Sequence, residues 1–245
     1  MKTLCLFTLL ATAAPTLGHA QQASSAAATR TEARSLAAFS AIDVTDGIRL
    51  EVRAGQPTAA VVDASTPQLR SFIKTEVEGG VLKVYFDASA DRTWKGLVNS
   101  HEHFLVTVTT GELHELKAAR GAAVTLGTPV SGTDALAVRL RSGATLGGAV
   151  QVQALDIQLR EGAVAHLSGS ANTLRVRAIE GSRFRSPDLK TNQCTAYATS
   201  ASVAQVAVSK TLEASAANQG TIIYSGAAEL TQNSHEDEGG KIKHK

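Results

Sequence analysis

Five basic residues, Lys117, Arg139, Arg141, Arg160 and Arg177, recur at spacings that would gather them on one face of a repeating fold. Guanidinium forks suit the carboxylates of an acidic polysaccharide or the phosphates of lipopolysaccharide, because each fork offers two parallel hydrogen bonds. Cations stacked about 5 Å apart repel one another unless carboxylates or an anionic ligand relieve them. Glu161 and Glu180 are close in sequence but face the other way along their strands, reaching the stripe only around a turn. The competing reading is an ordinary charged surface.

Other chemistry is thinner. His101 and His103 stand two apart, so on a strand both would project from one side and could share a metal, with Glu102 pointing away. Two ligands are not a site, and no metal is expected. The run His235, Glu236, Asp237 and Glu238 reads as a solvated charge cluster. Trp94 could stack on a sugar ring, although a lone Trp is more often a packing anchor. Asp156 and Arg175 fall in one outward column, yet no pair of carboxylates divides into acid and base. No G-x-S-x-G elbow, C-x-x-C pair, P-loop or dinucleotide fingerprint occurs, so no catalytic residue and no cofactor are expected.

The elements that would position the basic stripe follow from a repeat. Gly121, Gly143, Gly162, Gly181, Ala201 and Gln219 serve as anchors 18 to 22 residues apart. Seven residues before them stand His114, Leu136, Leu155, Leu174, Cys194 and Leu212; five before stand Leu116, Val138, Ile157, Val176, Ala196 and Ala214. Three after stand Val124, Leu146, Ala165, Phe184, Ala204 and Ile222. Alternation at every second residue marks strands, and the superimposed period near twenty marks a solenoid of strands and turns. Stacking preserves residue type down each column while identity drifts. The anchor glycines are expected where φ is positive or where a Cβ would crowd the next coil. Lys117, Arg139 and Arg177 then share the outward column four before the anchors, and Arg141 and Arg160 the column two before. Cys194 replaces leucine in an inward column, so it reads as a small core residue rather than a nucleophile.

The flanks differ. Residues 1–20 combine Lys2, a short apolar run, and Gly18 and Ala20 at the minus-three and minus-one positions, the pattern of a cleaved secretory signal. Cys5 lacks a lipobox, and no later segment is long and apolar enough for a transmembrane helix. Removing Lys2 with the signal leaves 23 basic against 22 acidic residues, so nothing global attracts nucleic acid. Residues 21–34 read as a flexible leader, 35–232 as one β-solenoid domain, and 233–245 as a charged tail that closes the last coil or stays solvated. Strands are expected in "AIDVTDGIRLEV", on either side of Gly79 and Gly80 in "TEVEGGVLKVYF", and in "HFLVTVTT".

"FSAIDVTDGIRLEVRAGQ", the glycine-containing coils and "GTIIYSGAAEL…GGKIKHK" together resemble the putative auto-transporter adhesin head GIN domain family, over residues 36–245. Ala227 and Ala228 stand where that family often has proline, and "HEDE" precedes the closing Gly239 and Gly240 as an acidic insertion. The resemblance implies an extracytoplasmic bacterial protein: all-β, a right-handed parallel β-helix with a packed N-terminal β region. It supplies no catalytic residue. The expected role is a non-catalytic envelope module, an adhesin or glycan-binding structural unit, whose partner is an anionic polysaccharide or another envelope component. Two alternatives are a polysaccharide-active β-helix lyase or hydrolase, and a periplasmic protein-interaction module that includes homo-oligomers formed through solenoid edges.

Overall fold

Alternating apolar residues can form a strand only where a second surface buries them, and here the chain provides that surface by winding back on itself. The computed structural model describes residues 31–87, 89, 104–231 and 234–245. The N-terminal part forms β1 (Thr31–Ser35), β2 (Ala41–Val44), β3 (Arg49–Ala54), β4 (Ala59–Ala64), α1 (Pro67–Phe72), β5 (Ile73–Glu78), β6 (Val81–Phe86) and β7 (Phe104–Thr110). Regular coils follow through β8 (Glu115–Ala118), β9 (Ala123–Val130), β10 (Ala135–Leu140), β11 (Thr145–Leu159), β12 (Val164–Ala178), β13 (Arg183–Ala198) and β14 (Val203–Ala216). The last coils contain β15 (Thr221–Ser225), β16 (Glu229–Leu230), β17 (His235–Glu236) and β18 (Lys241–His244). The result is a parallel β-helix of about six turns.

Each of the long strands β11 to β14 bends at mid-length and contributes to two walls. Sheet one takes the first halves, in the order β1, β4, β7, β3, β9, β11, β12, β13, β14, β15, β18. Sheet two takes the second halves, in the order β5, β6, β2, β8, β10, β11, β12, β13, β14, with β16 and β17 at its far edge. Only β1–β4, β4–β7 and β5–β6 pair antiparallel.

The inward columns are those the period defines. Leu136, Leu155, Leu174, Cys194 and Leu212 are register partners in succession, as are Leu116, Val138, Ile157, Val176, Ala196 and Ala214. Val124, Leu146, Ala165, Phe184, Ala204 and Ile222 run down the opposite wall. All of these are buried. His114 departs from its column: it is exposed, its Nδ1 lies 2.6 Å from the Thr133 hydroxyl, and Leu113 takes the buried place.

Every anchor glycine has positive φ, from 71° to 74°, and Ala201 and Gln219 match them at 57° and 63°. The preceding residue is also left-handed in each turn, as at Arg120, Ser142, Glu161 and Glu180. Two consecutive positive φ values with a closing bond such as Ala163 N–H to Arg160 O at 3.2 Å define a type I′ turn, which favours glycine. Crowding is not the reason, since a Cβ on Gly121, Gly143, Gly162 or Gly181 would meet nothing within 4 Å. Close approach operates at other glycines: a Cβ on Gly169 would lie 2.1 Å from the Val150 carbonyl oxygen.

The N-terminal end differs from its expected form, and the C-terminal segment closes the last coil. Residues 31–34, assigned to the leader, belong to β1, which pairs with β4 from Thr31↔Asp63 to Ser35↔Ala59. Arg34 reaches from this edge across to β5, donating from Nη1 to Ile73 O at 2.6 Å and Thr75 Oγ1 at 3.1 Å while its Nε holds Glu32. That arginine ties the two walls together at the N-terminal end. Helix α1 closes the same end, started by Thr66, whose hydroxyl accepts the Leu69 N–H, and by Pro67 in the first turn. At the other end "HEDE" is no interruption. His235 and Glu236 form β17 beside Ser215 and Ala216, Glu238 and Gly239 form another left-handed turn, and β18 pairs with β15.

If the stacked interior holds the fold, Ile157→Ala, at a fully buried position, is expected to cost about 2–5 kcal/mol. The neighbouring outward change Gln158→Ala should stay within about 0.5 kcal/mol. Urea denaturation midpoints at unchanged slope test the contrast, and equal shifts would contradict it.

Candidate functional site

The outer surface of sheet two is uneven because its outward residues differ in length. Ala135, Ala154 and Thr173 keep one column low, while Ala137 and Thr195 are interspersed with the longer Asp156, Arg175 and Glu213 in the next. Two adjoining clefts result. One, of about 460 Å³, is lined by Arg160, Arg175, Arg177, Tyr197, Glu213 and His235 among others. The second, of about 700 Å³, includes His114, Asp156, Gln193 and Thr231 and shares Arg175 and Glu213 with the first.

The structure divides the basic stripe. Lys117 and Arg139 are register neighbours, followed in the same column by Gln158, Arg177, Tyr197 and Ser215. Glu115, two residues before Lys117 and on the same side of the strand, answers the first two: its Oε2 lies 2.9 Å from Lys117 Nζ and its Oε1 3.6 Å from Arg139 Nε. Arg141 and Arg160 sit one coil apart just beyond the ends of β10 and β11, their N–H groups bonded to Ala118 O and Leu140 O. Of the five, only Arg160 and Arg177 line the 460 Å³ cleft. Glu161 does not turn back to them; its carboxylate accepts the Ser142 hydroxyl of the adjacent turn.

Three lining residues, Arg175, Tyr197 and His235, stand outside the basic stripe that the sequence marks for an anionic ligand. Arg175 lies two positions before Arg177, so both project from the same surface about 6.6 Å apart along the strand. It was read only as the partner of Asp156 in a column. Tyr197 follows Arg177 in register, and this position was visible in the repeat. His235, which with Glu236, Asp237 and Glu238 could on sequence hold a cation only weakly, lines the cleft from β17 instead. Arg160, Arg175 and Arg177 form no ion pair among the described residues, and Asp156 Oδ1 is buried without a hydrogen-bond partner among them. The cleft therefore presents three guanidinium groups without ion pairs among the described residues beside an aromatic ring, with Glu213 also on its wall and Asp156 one register step from Arg175.

A polar trough runs along the corner between the sheets, past Gln151, Asn172, Asn192 and Ser209. Its side chains largely satisfy one another: Asn192 Nδ2 donates to Asn172 Oδ1 at 2.8 Å, and the Ser209 hydroxyl to Asn192 Oδ1 at 2.9 Å. His101, His103 and Trp94 lie outside the described residues, as does the segment read as a signal. Among the described residues no three His, Cys, Asp or Glu side chains gather as a metal site, and no helix is long and apolar enough to cross a membrane.

This fold and sequence together define the class. The model of the putative auto-transporter adhesin, head GIN domain family matches residues 38–228, and the chain belongs to that family. No curated protein matches the sequence significantly. Among solved structures, a putative adhesin from Bacteroides fragilis superposes with a TM-score of 0.73 at 18% identity, covering 88% of this chain and 96% of that one. A putative lipid binding protein from Parabacteroides distasonis gives 0.65 at 16%, with the same coverages. A putative adhesin from Parabacteroides merdae gives 0.65 at 16%, covering 88% of this chain and 95% of that one. At such identities the likeness shows the shared fold alone.

Cys194 lies beneath the clefts, buried in the leucine column. Burial in this apolar stack disfavours the thiolate and pushes the thiol up to about 12. Because the reactive species is the thiolate, Cys194 should resist iodoacetamide at pH 8 in the folded protein and label fully in denaturant. Peptide mass spectrometry reads the outcome, and rapid native labelling would contradict the buried assignment.

Proposed function

We propose that the protein is an exported, non-catalytic module of the bacterial cell envelope that holds an acidic polysaccharide against sheet two. The observation that carries this reading is the set Arg160, Arg175 and Arg177 lining one cleft without ion-pair partners among the described residues. Clustered guanidinium groups left in water repel one another, and a uronate carboxylate relieves the repulsion through bidentate hydrogen bonds. Tyr197 offers a face for a sugar ring beside these guanidinium groups. Lys117 and Arg139 contribute less, because Glu115 already answers them. Membership of the adhesin family and the signal-like residues 1–20 support export and surface attachment.

The spacing of acids favours binding over hydrolysis. Asp156, Arg175, Thr195 and Glu213 occupy successive register positions, so the two carboxylates stand three steps apart, about 14 Å. Glycosidase pairs work at about 5–9.5 Å. Glu115 is two steps from Asp156, but its carboxylate is engaged by Lys117 and Arg139.

Calorimetric titration with polygalacturonate and alginate tests the proposal. Replacing Arg160, Arg175 and Arg177 together by Gln should weaken binding about 10- to 100-fold, with Lys117→Gln much milder. Unchanged affinity in the triple variant would overturn the assignment. Release of unsaturated or reducing ends from either polymer would replace the binding role with an enzymatic one.

A further inference from the structure

The outer surface of sheet one carries a charge pattern that the clefts of sheet two do not use. Its first outward column reads Ala123, Thr145, Val164, Arg183, Val203, Thr221, Lys241 in register order. Two residues further along the same strands stand Thr125, Gly147, His166, Arg185, Gln205, Ile223 and Lys243. Neither column holds a carboxylate from β9 to β18. A third column passes from Lys190 through Ala207 to Ser225, and Lys245 follows two residues after Lys243.

Six cations thus fall into two rows. Arg183 and Arg185 lie on the sheet-one face of β13, with Lys190 further along the strand at the corner trough; Lys241, Lys243 and Lys245 lie on β18 and just beyond it. All six are exposed, and none forms an ion pair among the described residues. The rows are three register steps, about 14 Å, apart. Val203, Gln205, Thr221 and Ile223 fill the space between them, each half-buried and none charged. Among the acids of this end, Asp188 stands at the corner of β13, Glu236 accepts the Ile242 N–H, and Asp237 and Glu238 lie at the turn joining the two sheets.

We propose that this face docks on an anionic lipid bilayer. The whole chain has a formal charge of only +2, so attraction must come from where the cations are placed rather than from their excess. Two rows set in one sheet surface, with a neutral and partly apolar strip between them, match a plane of headgroups that can meet both rows at once. A single polymer chain would find one row or the other. Docking through sheet one leaves the opposite wall, with the arginine cleft, facing away from the membrane. This surface is independent of the glycan-binding reading and shares no residue with it.

The test is co-sedimentation of residues 21–245, which keep every described residue, with phosphatidylcholine vesicles with or without phosphatidylglycerol. Each cation near such a surface contributes about fivefold to partitioning, so Lys241→Gln, Lys243→Gln and Lys245→Gln combined should lower it about 100-fold, and Arg183→Gln with Arg185→Gln about 25-fold. Binding should need the anionic lipid and fall sharply with added salt, because the charges are exposed. The Arg160, Arg175 and Arg177 triple variant should bind vesicles like the parent, which separates this proposal from the previous one. Equal sedimentation with both vesicle types, or vesicle binding unmoved by both sheet-one variants, would overturn it. So would a sheet-one variant that loses retention on soluble polygalacturonate while keeping vesicle binding.

Discussion

The stacking of one coil's backbone on the next governs everything else in this molecule. In the parallel ladders each residue sits beside its counterpart one coil away, as Leu155 does beside Leu136 and Leu174. The turns obey the same rule. Gly121 N–H donates to Ser142 O, Gly143 to Glu161 O, Gly162 to Glu180 O and Gly181 to Ser200 O, each at 2.9 Å. A turn that lost its left-handed pair would misdirect its donor and break the stack at that level. Coil length can vary only where slack is tolerated, and the register shifts fall in the corner, between Ala165 and Gly169 and between Arg185 and Lys190.

That constraint acts on function through the outward residues. Inward positions must match in size, but outward ones are limited only by what their neighbours carry. Glu115 beside Lys117 and Arg139 makes a self-neutralised patch, whereas the coils from β11 to β13 put Arg160, Arg175 and Arg177 together with no ion pair among the described residues, although Asp156 neighbours Arg175 in register and Glu213 lines the same cleft. The same ladder gives sheet one two cationic rows at a fixed separation. A rigid, repetitive scaffold thus turns a spacing in sequence into a spacing on a surface, with little dependence on loops.

The columns were legible because a period near twenty, combined with alternation, has few structural solutions. What escaped notice lay where the period breaks. His114 satisfied the count from Gly121, yet its coil enters from the N-terminal region, and there Leu113 is buried instead. The spatial order of β6, β2 and β8, with the first coil inserted between later ones, leaves no trace in local pattern. Helix α1 did have a signal in Thr66 followed by Pro67, but six residues are too few for helical periodicity to show. In the closing segment the sequence leaves a solvated tail and a last coil both open: four charged or titratable residues in a row suggest solvent, yet the backbone of Asp237 bonds to Ala216 O and continues the ladder. Within the basic stripe, the period shows the columns between coils more plainly than the rows along a strand. Rows decide the pairing, since Glu115 meets Lys117 and Arg175 stands beside Arg177.

Net charge conceals this arrangement. Acids concentrate at the N-terminal hairpin, around Glu115 and in the closing turn, and the total comes close to balance. At physiological ionic strength charges are screened over about 8 Å, so a partner within contact range senses the local row rather than the sum. Sheet one and sheet two then present separate fields from opposite walls of one core. The core between them is mainly apolar, its buried Ser182, Ser186 and Ser202 hydroxyls hydrogen-bonded to backbone, and cannot rearrange without breaking several coils, so the two fields keep a fixed relation whatever binds to either.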